Sequence, residues 1–219
     1  MKSVLIAFLV FCLCWGVGCS KNLSEFQKTE ALAEKGDAAA QHNLGVMYAD
    51  GQGVPQNFKE AVKWYREAAE QGFSTAQNNL GHMYEAGNGV SKDFVEAVKW
   101  YREAAEQGDA TAQCNLGHIY IRGENVEQDF KEALKWYRKA AEQGDEQAQY
   151  NLGIMHNKGD GVLPDYVTAY AWANIAEANG FDAKKFEGQL EMKMTSEQIA
   201  KAEELLIEMI KKNPNLLNK

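Results

Sequence analysis

Residues 37–72 read DAAAQHNLGVMYADGQGVPQNFKEAVKWYREAAEQG, and residues 73–108 read FSTAQNNLGHMYEAGNGVSKDFVEAVKWYREAAEQG. The two align without a gap, and the pattern returns at 109–144 and 145–180, a period of 36 residues. Leu44-Gly45, Leu80-Gly81, Leu116-Gly117 and Leu152-Gly153 keep that spacing, as do Gln41, Gln77, Gln113 and Gln149. Asn43, Asn79, Asn115 and Asn151 do the same, and Trp64, Trp100, Trp136 and Trp172 mark the second half of each unit. Self-similarity at a fixed period of this length is the signature of a stacked array rather than of one closed core.

Each unit reads as helix, turn, helix. In the first half Ala40, Leu44 and Tyr48 lie four apart and share one helical face. The helices start near Asp37, Ser74, Asp109 and Glu146, where short oxygen-bearing side chains can take the free N–H groups of a first turn. Gly51 stops the first helix and Gly53 turns the chain; the third unit carries Asn125 at the second of these places, and Asn tolerates the left-handed region better than most residues. The second helix is expected from about Asn57 to Gln71, with Phe58, Ala61, Trp64, Tyr65 and Ala68 buried. Its outer face offers Lys63–Glu67 and Arg66–Glu70 at i,i+4, each worth a few tenths of a kcal/mol. One helix pair cannot cover a tryptophan alone, so neighbouring units must cover it, and the ends of the array need caps. Ser24 to Lys35 aligns with a lone second helix. At the other end Ser196 opens a last helix with an apolar stripe of Ile199, Ala202, Leu206, Met209 and Ile210.

Ahead of the array, Met1-Lys2 followed by an apolar run to Trp15 and the small residues Gly16-Val17-Gly18 has the layout of a secretory leader. Gly16-Val17-Gly18-Cys19 resembles a bacterial lipobox, although Gly16 stands where such sequences usually have a larger apolar residue. The expectation is an exported chain cleaved before Cys19, lipidated there and held at the outer membrane, with ordinary cleavage as the other reading. Several acyl chains, at about 0.8 kcal/mol per buried CH₂, make a firm anchor. With Cys12 and Cys14 in the leader, Cys19 and Cys114 alone are left, so no disulfide framework is expected and packing must hold the fold. The resulting division is a leader at 1–18, a tether and capping helix at 19–36, units at 37–72, 73–108, 109–144 and 145–180, and a linker with a final capping helix at 181–219.

Composition narrows the function. Lys plus Arg is 23 against 31 Asp plus Glu, a net charge of -8, which argues against nucleic acid as a partner because phosphate contacts need clustered basic residues. The chain lacks the glycine-rich phosphate loop with its Lys-Ser/Thr, the Gly-x-Ser-x-Gly of hydrolases, and Ser-x-x-Lys with its supporting motifs. No catalytic set, cofactor or metal is expected. His82 and His118 occupy the same position in adjacent units, yet a metal site needs three or four converging ligands.

The motif Ala-x-x-x-Leu-Gly-x-x-Tyr, then Gly-x-Gly-Val, then Ala-x-x-Trp and Ala-Ala-x-x-Gly, resembles the Sel-1-like repeat family, a relative of the tetratricopeptide repeat. The likeness spans roughly residues 37–180 and is specific for fold. It departs mainly in unit four, where His156 replaces the tyrosine of the first helix, and Ala173 and Glu177 replace Tyr and Ala of the second. The resemblance implies an all-α, right-handed superhelical solenoid of helix-turn-helix units with the first helices lining a concave surface. It also implies work in holding other proteins together. Some cysteine-rich relatives have been linked to β-lactamase or penicillin-binding activity, but their paired cysteines are missing here.

If the invariant positions serve packing, the variable ones in the first helices are the candidates for contact with a partner. These are His42, Asn78, Cys114 and Tyr150 at one position; Val46, His82, His118 and Ile154 at a second; and Asp50 and Arg122 at a third. The function expected is a non-catalytic scaffold of the bacterial envelope, monomeric, taking a peptide or protein on that face and meeting the membrane only through Cys19. A secreted effector that engages host proteins is an alternative, as is the hydrolase activity of the cysteine-rich relatives.

Overall fold

A computed structural model describes residues 24–217; the leader at 1–18 and Cys19 lie outside them. Among the described residues the secondary structure is helical: α1 (Glu25–Ala33), then four helix pairs, then α10 (Lys184–Glu191) and α11 (Ser196–Lys212), with a 3₁₀ turn at Pro214–Leu216. The pairs are α2 (Ala38–Asp50) with α3 (Phe58–Glu70), α4 (Ser74–Ala86) with α5 (Phe94–Glu106), α6 (Ala110–Arg122) with α7 (Phe130–Ala141), and α8 (Glu146–Lys158) with α9 (Tyr166–Ala178). From α1 to α9 each helix packs on its neighbours along the chain, as a solenoid requires, and α10 and α11 both pack on α9. The core is a string of clusters, one near each pair, rather than a single centre.

Local chemistry sets the ends. Asp37, Asp109 and Asp145 accept N–H bonds from the first turns of α2, α6 and α8 at 2.7–2.9 Å. In unit two Phe73 stands at this place, and α4 begins with no side-chain cap. The second helices begin at Asn57, Asp93, Asp129 and Asp165, whose side chains each accept two backbone N–H groups. Asn125 takes φ 55°, matching the left-handed glycines at the same turn of the other units. The last helix is capped by Thr195 in a capping box with Gln198, one residue before the expected Ser196.

The Leu-Gly pair explains itself through packing. A Cβ on Gly45, Gly81 or Gly117 would lie 2.6–2.8 Å from the ring of Tyr65, Tyr101 or Tyr137 of the same unit. Bare glycine lets the tyrosine lie flat on the first helix, and these three tyrosines are almost completely buried. The tryptophans before them behave differently from expectation. Trp136 and Trp172 are buried, but Trp64 and Trp100 stay partly exposed at the margin, with Lys63 and Lys99 lying over their rings. Tyrosine, not tryptophan, is the common core residue of the second helix.

Amides join the units. Gln41, Gln77, Gln113 and Gln149 each donate to a backbone carbonyl of the preceding helix at 3.0–3.2 Å, and the first three accept from Gln71, Gln107 and Gln143 at 2.6–2.9 Å. Asn179 continues the row by donating to Gln149 at 2.8 Å. A buried polar atom without a partner costs about 1–3 kcal/mol, so this invariant glutamine is fixed by satisfaction and not by ligand binding. Arg66 spans units by donating to the Tyr84 hydroxyl at 2.8 Å, and Arg102 bonds Tyr120 in the same way. The i,i+4 pairing expected of Arg66 gives way to this bond, and Lys63 reaches Glu60 rather than Glu67.

A candidate protein-binding face

The three variable positions of α2, α4, α6 and α8 fall on neighbouring helices, but the structure does not leave them equally open. Asn78 and Cys114, at 9% and 4% exposure, are buried and cannot face a ligand. Asn78 is a rung in a second amide row, accepting from Asn115 at 3.0 Å, while Asn79 meets His42 at 3.1 Å. In the next unit the row changes partner. The Cys114 thiol hydrogen-bonds Asp145, and Asn151 turns to His118 at 3.3 Å. Burial pushes the thiol well above its ordinary range, with the Asp145 charge adding to it, so Cys114 is an inert packing residue.

His42 is half-buried between the rings of Tyr65 and Phe73, 5.8 and 5.3 Å away, and His118 lies edge-on to Tyr137 at 5.5 Å. Burial lowers the pKa of both imidazoles. No group of three or more His, Cys, Asp or Glu among the described residues could hold a metal ion. Tyr150 and Ile154 are covered from the C-terminal side: Tyr150 stacks against Phe181 at 4.5 Å and Phe186 at 5.6 Å, and Ile154 joins the same cluster. These two are part of the capped end, not of an apolar groove wall. Arg122 is exposed but engaged, meeting Glu85 at 3.0 Å and Glu124 at 2.8 Å.

What stays open is concentrated at the junction of units one and two. Val46, Asp50 and His82 border a cavity of about 360 Å³ whose other walls are Ala49, Phe58, Tyr65, Asn79, Met83 and Asn88. That volume lies at the lower end of small-molecule and side-chain pockets. The Tyr65 hydroxyl shares a hydrogen bond with Asn79, and burial, with Asp50 near it, pushes the phenol up to about 12. The site is therefore an apolar cup with a rim of amides, one imidazole and one carboxylate. It holds no nucleophile with an adjacent base. From the sequence Phe58, Tyr65 and Asn79 read as packing residues, because units one to three share them. The signal lay instead in Ala49 and Ala86, small residues where unit two has Glu85 and unit three has Arg122.

The Sel1 repeat profile matches residues 38–73, 74–109, 110–145 and 146–181. The chain is a Sel1 repeat protein. A Sel1 repeat protein from Oxalobacter formigenes superposes with a TM-score of 0.70 at 35% identity, covering 89% of this chain and 82% of the other. The protective antigen c5321 of uropathogenic Escherichia coli, with an SLR fold, gives a TM-score of 0.51 at 33% identity. This alignment covers 86% of the present chain and 49% of the antigen, so the chain spans about half the length of that relative. No curated protein sequence is matched. Sel1 repeat proteins are generally protein-interaction scaffolds, and the right-handed α/α solenoid expected from the motif is the fold of this chain.

Proposed function

We propose that this Sel1 repeat protein is a non-catalytic scaffold of the bacterial envelope that takes a protein segment on the face of its first helices, centred on the junction of units one and two. The observation that carries the reading is the open cup beside Val46 and His82, on a face whose remaining variable residues are tied into the fold. In this reading residues 1–18 export the chain and Cys19 carries the lipid that tethers it to the outer membrane. The family's general role and the net charge of -8 both favour protein over nucleic acid as the partner.

Crosslinking in intact cells, followed by purification of wild type and Val46→Glu/His82→Glu, tests the binding face. A partner captured by wild type and lost from the variant, with helicity unchanged by circular dichroism, is the expected result; equal capture moves the contact elsewhere. Metabolic labelling with a clickable palmitate tests the tether. Label on wild type and none on Cys19→Ser supports it, and unlabelled protein in the growth medium favours the secreted effector.

A further inference from the structure

Junction two/three holds a device that junction one/two lacks. There the Arg122 guanidinium lies 5.7 Å from the centre of the Phe94 ring and pairs with Glu85 at 3.0 Å and with Glu124 at 2.8 Å. The Tyr101 hydroxyl holds Glu85 in place at 2.9 Å. A guanidinium near an aromatic ring and bonded to two carboxylates is an arrangement in which arginine differs most from lysine. At junction one/two the frame is kept: Phe58 corresponds to Phe94 and Tyr65 to Tyr101. The filling is deleted, because Ala49 stands for Glu85, Ala86 for Arg122 and Asn88 for Glu124. The empty volume is the 360 Å³ cup, walled by Phe58, Tyr65, Asn79 and Asn88. Asp50, whose carboxylate takes the Gln52 amide at 3.1 Å, stands on its rim.

We propose that this cup receives an arginine side chain of the partner protein, taking the place that Arg122 fills from within at the next junction. Phe58 offers the ring face, Asp50 the carboxylate and Asn88 the amide oxygen. A net charge of -8 draws a cationic segment toward the site before contact. Junction three/four offers no such seat, since Ile121 packs into the core at the Glu85 position and Lys158 stands at that of Arg122. The assignment deepens the scaffold reading and depends on it, because a seat for one side chain has meaning only where a protein segment binds.

The test is an amide-resolved NMR titration of the isotope-labelled full chain with acetyl-arginine amide, and with acetyl-citrulline amide as its neutral isostere. Saturable shifts confined to the surroundings of Asn79, His82 and Asn88 are expected. The citrulline compound should bind at least about tenfold more weakly. Ala49→Glu/Ala86→Arg rebuilds the internal pair, so it should abolish the shifts; Asp50→Asn, a change on the exposed rim, should weaken them and decides the matter if the double variant fails to fold. Shifts that spread over the acidic surface and persist in both variants, or equal binding of both compounds, overturn the assignment. Partner capture that survives Ala49→Glu/Ala86→Arg but not Val46→Glu/His82→Glu also overturns it, while leaving the scaffold reading standing.

Discussion

Units one to three and unit four close the space between their helices with different residues. In the first three, a tyrosine of the second helix lies against the glycine of the first, supplied from within the unit. Unit four has Ala173 at the tyrosine position, and the room over Gly153 is shared by the Ala169 carbonyl of α9, 3.0 Å from where a Cβ would sit, and the ring of Phe186 at 3.2 Å. Phe186 comes from α10, outside the repeat. The three-residue 3₁₀ turn at the chain's end adds to the difference: the Leu216 carbonyl accepts from Gln149 at 2.8 Å and from Asn179 at 2.7 Å, and its side chain enters the cluster around Trp172 and Ile175. Inner units are covered by the next copy. The last unit is covered by non-repeating sequence, and its own residues have changed to receive it.

The largest effect on this contrast is expected from Phe186→Ala. Removing a phenylalanine at 5% exposure should cost about 3–5 kcal/mol, read as a lowered denaturant midpoint. If unit four truly substitutes Phe186 for the tyrosine, Ala173→Tyr added to that variant should return part of the loss. Alone, Ala173→Tyr should cost about 1–3 kcal/mol by overpacking. A loss in the double variant equal to the sum of the two singles would break the equivalence.

Leu216→Ala should cost about 2–4 kcal/mol. Hydrogen exchange should localise that loss to α8 and α9, with α2 to α5 unchanged, because in a linear array each unit feels only its neighbours. Protection lost evenly along the chain would contradict that.

A smaller effect concerns His156, which replaces Tyr84 and Tyr120 of the inner units. It is buried, its Nδ1 has no hydrogen-bond partner, and burial lowers its pKa below the ordinary 6.5, with Asp165 opposing and Arg138 adding to the shift. The unfolded chain therefore binds the proton more readily, so this contribution is full above the unfolded value of about 6.5 and is lost as pH falls from there through the lower folded-state value. His42 and His118 shift in the same direction. His156→Tyr restores the tyrosine beside Arg138 and should flatten the decline in stability between about pH 7 and 5 without abolishing it. An unchanged slope would assign the decline to the other two histidines.

The smallest effect is expected from Arg122→Ala. The Arg122–Glu85 pair is partly exposed and should be worth no more than about 1 kcal/mol, shrinking further in high salt.

What was legible in the sequence was whatever repeats. The period, the helix–turn–helix unit and the left-handed turn at Asn125 follow from spacing and from backbone chemistry that acts over a few residues. The Leu-Gly pair is legible as a fixed spacing, but not that the Tyr65 ring leaves no room for a Cβ on Gly45. Helix α10 is hidden in the sequence because its own eight residues carry only Phe186 and Leu190 into the core, where they meet Tyr150 and Ile154 of α8 and Ala169, Tyr170 and Ala173 of α9. The binding face was half legible. Variability marked the right helices, but it could not distinguish Val46 and His82, which border open space, from Asn78 and Cys114, which turn inward. Periodic sequence determines the unit because helix geometry is local. Which variable residue meets solvent is decided only when units stack, since a junction is filled by residues distant in sequence, such as Arg122 and Glu85, and Ala49 and Ala86 leave open what those two close at the next junction.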